Sequence, residues 1–251
     1  MITRLLRSLV ICAALLATAT AAGAAEIKMI ASNAVREAYL QLVPAFEKTS
    51  GHKVTIDWGG TADIMKQIRG GEVADIVIVP APAIDALIKE GKLAGGSRVD
   101  VAKSAIGAAV RAGVMKPDIS SGDALKRTLL AAKSIIISSG PSGVYLAEFF
   151  RKIGIADQIK AKTTQLPPGG SPGEAVARGE GEIGFTQVSE LLAVKGIDYL
   201  GPLSPDVQQV TTFSAGLHRE APAPEAAKAL LNFLTGPDAR AAVKKSGLEP
   251  G

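Results

Sequence analysis

The sequence predicts an α/β fold with largely parallel sheets. Two observations carry that class. Short apolar strands alternate with amphipathic helices along most of the 251 residues, the pattern of strand-crossover-strand units. The run Ala74 to Val79 is apolar apart from Asp75, as in a strand covered on both faces.

Taken in order, Glu26 to Ala31 reads as the first strand. Val35, Tyr39, Leu42, Val43 and Phe46 then recur at i, i+4, i+7, i+8 and i+11, one face of a helix. Pro44 inside that pattern predicts a kink or a break. Ser50-Gly51 stops the helix, and Lys53 to Trp58 is the next strand. Asp63 to Arg69 is a short helix closed by Gly70-Gly71. After the strand at Ala74 to Val79, Pro82 to Glu90 is helical and ends at Gly91. A polar connection leads to a strand over Ala105 to Arg111, a helix over Gly122 to Ala131 and a strand over Ser134 to Ser138. Val144 to Ile153 is a helix, followed by a Pro/Gly loop. Then come a helix over Glu174 to Arg178, a strand over Glu182 to Thr186 and a helix over Val188 to Lys195. Val207 to Leu217 is extended, and Pro224 to Leu234 and Asp238 to Lys245 are the last helices.

Residues 1–25 read as a signal peptide rather than as part of the fold. Arg4 and Arg7 precede an apolar run, Leu9 to Ala17, too short to span a bilayer, and Ala22-Gly23-Ala24 is a small-x-small cleavage pattern. Cys12, the one cysteine, lies inside that run, so the exported chain is expected to carry no disulfide, thiol chemistry or Cys-ligated metal. Without Arg4 and Arg7, the 28 Lys and Arg fall to 26 against 24 Asp and Glu. With the basic residues scattered and aromatics at 4%, no nucleic-acid footprint appears.

Five loops lead into helices and carry hydroxyl or amide side chains: Ala31-Ser32-Asn33, Gly59-Gly60-Thr61, Ser138 to Gly143, Gly169 to Gly173, and Thr186-Gln187. Each sets helix-start N–H groups beside a polar side chain, and glycine lets a ligand approach the backbone in most of them. Any one alone is an N-cap. Four follow strand carboxyl ends, where open α/β sheets bind ligands, so together they predict a single cleft for a small anion. No Lys or Arg lies in the loop cores. Dipoles and hydrogen bonds, each charge-assisted bond worth about 1.5–3 kcal/mol, must hold the charge.

Competing motifs fail on physical grounds. Gly179-Glu180-Gly181-Glu182-Ile183-Gly184 matches G-x-G-x-x-G but precedes a strand and carries two carboxylates. Gly169-Gly170-Ser171-Pro172-Gly173 matches G-x-S-x-G, yet Pro172 has no N–H for an oxyanion hole and no strand is predicted before it. There is no Walker lysine, and His52 and His218 stand apart and read as surface residues, so no histidine triad or metal site, and no cofactor, is expected. Arg36 reads as a solvated helix residue able to reach a ligand, and Tyr145 as cleft lining or packing. Asp75 reads as a buried acceptor, Glu174 as a first-turn acid, and Trp58 as core or cleft wall.

The segments IKMIASNAVREA, GGTADIMKQIRGGEVADIVIV, SGPSGVYLAEFF, GEIGFTQVSELLA and FLTGPDARAAVKKSG, in that order, resemble the molybdate-binding periplasmic proteins of ABC importers. The likeness covers nearly the whole chain after residue 25. It implies a two-lobed periplasmic-binding fold, each lobe a mainly parallel sheet flanked by helices, with the ligand between them. One lobe would be residues 26–103 plus 213–251 and the other 104–212. The implied role is capture of a small oxyanion or carboxylate by a periplasmic monomer serving an ABC permease. The implied ligand-binding residues are Ser32, Asn33, Gly60, Thr61, Ser142, Gly143, Ser171 and Gln187. Two departures stand out. Pro172 cannot donate where the family has an N–H, and Gln187 stands where it often has tyrosine. Relatives of the family include a periplasmic aconitate isomerase, which moves a proton along an unsaturated tricarboxylate. That chemistry requires a base, for which Glu174, Tyr145 or a lysine stands in the absence of a loop histidine. A tricarboxylate would also call for a cation such as Arg36 or Lys66.

Overall fold

The computed structural model describes residues 23–251, so all but the last three residues of the leader read over 1–25 lie outside the described residues. Strand β1 (Glu26–Ser32) pairs in parallel with β2 (Lys53–Gly59) and β3 (Ile76–Pro80). Strand β3 is flanked antiparallel by β9 (Val210–Leu217), and β9 by the first half of β4 (Val99–Arg111). The 13-residue β4 then changes partners. Val99 to Ala105 pair with β9, whereas Ile106 to Val110 pair with β7 (Ile183–Gln187) and, on the other edge, Gly107 to Arg111 pair with β8 (Ile197–Pro202). A second parallel trio, β6 (Thr163–Gln165), β5 (Ile135–Ile137) and β7, completes the sheet, while β10 (Glu249–Pro250) pairs with β4.

The helices are α1 (Arg36–Ser50), α2 (Thr61–Arg69), α3 (Ala81–Lys89), α4 (Gly122–Ala131), α5 (Pro141–Lys152), α6 (Ala156–Ile159), α7 (Pro172–Ala177), α8 (Val188–Leu192), α9 (Pro224–Thr235) and α10 (Ala239–Lys245). They cover both faces of the inner strands β3, β5 and β7, which are buried along their whole length, whereas the edge strand β2 alternates, with Lys53, Thr55 and Asp57 exposed. On β1, Met29 and Ala31 join Tyr39 and Phe46 of α1 in one core, whereas Ile30 faces Ile64 and Ile84 on the other side. A separate core gathers Ile106 and Ala108 of β4 with Leu125, Leu146, Phe149 and Phe185. Core side chains therefore divide where β4 changes partners.

Pro44 does not break α1, which runs unbroken from Arg36 to Ser50. Its ring lies on the exposed face, where the carbonyl freed at Leu40, itself 52% exposed, meets water instead of a buried void. Gly51 ends the helix with φ 75° and donates its N–H to the Glu47 carbonyl, a left-handed terminus that suits glycine. Strand β4 begins inside the stretch read as a polar connection. Strands β6, β8 and β10 and helix α6 are too short to leave a periodic signal.

Candidate functional site

Parallel pairing decides which loops meet. Ser32 at the end of β1 is in register with Gly59 at the end of β2. Ile137 of β5 is in register with Phe185 of β7 and Gln165 of β6. The strand carboxyl ends of the two trios therefore face one another across β4 and β9. Between them lies a small pocket of about 40 Å³.

Its wall includes Ser32, Asn33, Gly60, Thr61, Ser142 and Gln187. Ser138, Ser139, Gly169, Gly170, Glu190 and Phe213 complete much of the rest. No Lys or Arg is among the lining residues, so the pocket offers neutral donors. Ser32 Oγ accepts the Ala34 N–H at 3.3 Å as an N-cap, which leaves its proton to donate elsewhere. Gly60 is the N-cap of α2, and the first-turn N–H groups from Thr61 onward have no intrahelical acceptor. The same holds for Ser142 and Gly143 at the start of α5, where Pro141 occupies the first position and needs no acceptor. Ser142 is 1% exposed and its Oγ lies 2.8 Å from Ser138 Oγ. Gly143 backs the wall without lining it. A Cβ there would fall 1.6 Å from the Ser138 carbonyl oxygen, so only glycine lets this loop fold back on itself.

Gln187 is tied down as well as pocket-lining. Its amide meets Thr211 Oγ1 at 3.2 Å. With its oxygen turned to Thr211, its nitrogen reaches Ser104 Oγ at 3.0 Å and the Ser104 carbonyl at 3.2 Å. Gln187 thus links β4 and β9 where they pass from one core to the other. Ser171 lies apart from the pocket. Its Oγ accepts the Glu174 N–H at 3.3 Å, and it lines a larger outer groove of about 720 Å³ with Arg36, Glu174 and Arg178.

Several expectations are corrected. A strand, β6, does precede the Gly169 loop, ending at Gln165. His218 is buried, not on the surface. Its Nδ1 accepts the Glu220 N–H, and burial pushes its pKa below the usual histidine value. Half-buried His52 accepts the Ala25 N–H. Tyr145 packs, stacking on Phe149 and donating to the Val207 carbonyl at 2.9 Å. Lys66 lines a different hollow, with Trp58 and Asp63, and exposed Glu174 pairs with Arg178 at 3.8 Å. Asp75 is a buried acceptor as read, 1% exposed and taking the N–H groups of Lys28 and Ala223 at 2.8 and 2.6 Å.

Glu190 is the functional candidate that motif reading missed. Its carboxyl accepts from Thr186 Oγ1 and from the Gln187 N–H, and burial pushes its pKa above the usual carboxylate value. The local cause is a cap. With Gln187 at the N-cap of α8, Glu190 is the third helical residue, and an acid there reaches back to the N-cap N–H. The spacing Gln187-Val188-Ser189-Glu190 carries that signal. Among the described residues, no ion pair offsets this carboxyl. Its carboxyl therefore lines an anion-sized pocket with its charged form disfavoured by burial.

Known proteins agree with this architecture. The chain is 38% identical over 231 residues to an aconitate isomerase of Pseudomonas sp., covering 89% of this chain and 87% of that one. It is 27% identical over 239 residues to the molybdate-binding protein ModA of Azotobacter vinelandii, covering 91% and 92% of the two chains. The solved structure of the periplasmic molybdate-binding protein of Azotobacter vinelandii matches with a TM-score of 0.76 at 19% identity, covering 90% of this chain and 99% of that one. Residues 27–249 match the family described as bacterial extracellular solute-binding protein, and with nearly the whole described fold inside that match, the chain belongs to that family.

Proposed function

We propose that this protein is a monomeric periplasmic receptor, exported through residues 1–25, that captures a small anion for an ABC permease. In this reading the halves 26–103 plus 213–251 and 104–212 are lobes that close on the ligand, with no cofactor or metal. The observation that carries it is the pocket between the two cores, lined from both sides by hydroxyls and helix-start N–H groups and free of lysine and arginine. Neutral donors converging on one pocket hold an anion without a desolvated cation to compensate. The proposed donors are Ser32, Asn33, Gly60, Thr61, Ser142 and Gln187, with Gly143 supporting the wall from behind and Ser171 outside in the groove. Titration with molybdate, tungstate, sulfate and a set of di- and tricarboxylates tests it. Binding should raise the melting temperature, by the equivalent of about 2.7 kcal/mol at a hundredfold excess over Kd. If none shifts it or releases heat, the receptor reading fails.

Glu190 favours a second reading, a proton shift on an unsaturated tricarboxylate, supported by the aconitate isomerase among the relatives. A carboxyl whose pKa is raised by burial is a stronger base than an ordinary carboxylate for taking a proton from a carbon acid. Incubation with trans-aconitate, followed by chromatography for the cis isomer, separates the two. Turnover that is lost in Glu190→Gln makes the protein an isomerase. Tight binding without turnover leaves it a receptor.

A further inference from the structure

The inner pocket and the outer groove share four wall residues, Asn33, Gly169, Gly170 and Glu190. The two hollows therefore adjoin, and they are unlike. The inner end, about 40 Å³, is only a few times the roughly 10–15 Å³ that a single water needs and has room for one anionic head group. The outer end, about 720 Å³, falls in the roughly 300–1,000 Å³ range of small-molecule sites. Charge differs as sharply as size. The groove carries Arg36, Arg178 and Lys195 with the acids Glu37, Glu174 and Glu190. Arg178 is engaged by Glu180 at 2.6 Å and by Glu174 at 3.8 Å. Arg36 and Lys195 have no ion-pair partner among the described residues. The Arg36 guanidinium lies over the Trp58 ring, 5.9 Å from its centre, a contact that holds it while leaving its donors open. Ser189 on the groove wall is 2% exposed and its Oγ has no hydrogen-bond partner. Such an orphan hydroxyl calls for an explanation, and a ligand oxygen supplies one.

We infer that pocket and groove are one bipartite site for an extended polycarboxylate. Its head carboxylate is held by the inner hydroxyls, its carbon chain passes Glu190, and its far carboxylate meets Arg36 and Lys195. This rests on the inner pocket being an anion site, as proposed above, and adds the class of the anion. A tetrahedral oxyanion fills only the inner end and leaves both cations and Ser189 unused. A second negative charge on the ligand cannot be met by the inner donors beside Glu190, and the groove cations meet it instead.

The probe is tricarballylate, a saturated tricarboxylate that has no double bond to move, compared with molybdate by calorimetry on the purified protein. The variants are Arg36→Gln with Lys195→Gln, and Ser189→Ala, with melting temperature recorded as a control on folding. The double variant should bind tricarballylate about tenfold or more weakly, with molybdate affinity and melting temperature little changed. Ser189→Ala should weaken tricarballylate alone. Unchanged tricarballylate affinity in the double variant, or equal losses for both anions, overturns the bipartite site. Wild-type protein that binds molybdate but not tricarballylate also overturns it, while leaving the anion reading intact. Wild-type protein that binds neither removes the anion reading itself.

Discussion

Gly60→Ala isolates the contact between the Gly60 and Gly169 loops, on which the proposed closure of the lobes would depend. Gly60 has φ −78° and ψ 153°, a conformation alanine adopts freely, so the substitution brings no backbone strain. Reduced freedom in the unfolded chain should even add about 0.4–1 kcal/mol of stability. The added methyl, however, meets the opposite wall. Its Cβ would lie 2.8 Å from the Gly169 nitrogen and 3.5 Å from the Pro168 carbonyl carbon. Those neighbours are backbone and cannot swing aside as a side-chain end can. Restoring an ordinary separation of about 3.5–4.0 Å requires the two loops to part by the better part of an ångström. A ligand bond of about 2.9 Å stretched by that much is no longer a hydrogen bond. Losing one charge-assisted bond of about 1.5–3 kcal/mol corresponds to roughly a 10- to 150-fold weaker Kd. Calorimetry with molybdate and tricarballylate, beside thermal melts of the free protein, reads both quantities. Wild-type affinity in Gly60→Ala would refute closure through this contact, and a large fall in the melting temperature of the free protein would refute the separation of binding from folding.

The remaining predictions concern hydroxyls, a buried acid and a structural aspartate. Thr61→Ala should weaken anion binding by about 1–3 kcal/mol with little change in stability, because Gly60 and not Thr61 caps α2. Ser32→Ala should lose both, since Ser32 Oγ caps the first turn at Ala34, and caps contribute about 0.5–2 kcal/mol. Equal melting temperatures for the two variants would contradict that assignment. Glu190 has a folded pKa raised by burial, so its stabilising contribution is full below the ordinary carboxylate pKa of about 4.3 and is lost as pH rises through the raised value. Glu190→Gln should remove that part of the pH dependence, and pH melting curves that run parallel to wild type would count against it. Asp75→Ala strands the buried N–H groups of Lys28 and Ala223, at about 1–3 kcal/mol each. Urea unfolding that shows no loss would remove Asp75 from the frame.

Local chemistry was enough to read the α/β alternation, the glycine-ended helices and the polar loops at strand ends. Strand and helix periodicities, N-caps and left-handed glycines such as Gly51 act within a few residues, so they are written in adjacent letters. Asp75 was legible for a similar reason, as one acid in an otherwise apolar run with few roles open to it. The short β6 and β8 were not, because three to six residues supported by neighbouring strands need no periodic signal of their own. Nor was the burial of His218, which depends on where β9 ends beside Asp75, far away in the chain.

Which loops become one site was settled by pairing across distance. The Ser32–Gly59 register, and the change of partners along β4 that turns the second trio of carboxyl ends towards the first, place the loops together. Sequence alone put Ser171 and Gly143 in the same set as Ser32 and Thr61. Tertiary packing moved Ser171 to the groove and Gly143 behind the wall. Glu190 shows the division most clearly. Its reach back to the start of α8 is local and written in the spacing from Gln187. The rise in its pKa comes from burial among elements brought together by the fold, a cost to charge that no neighbouring letters encode.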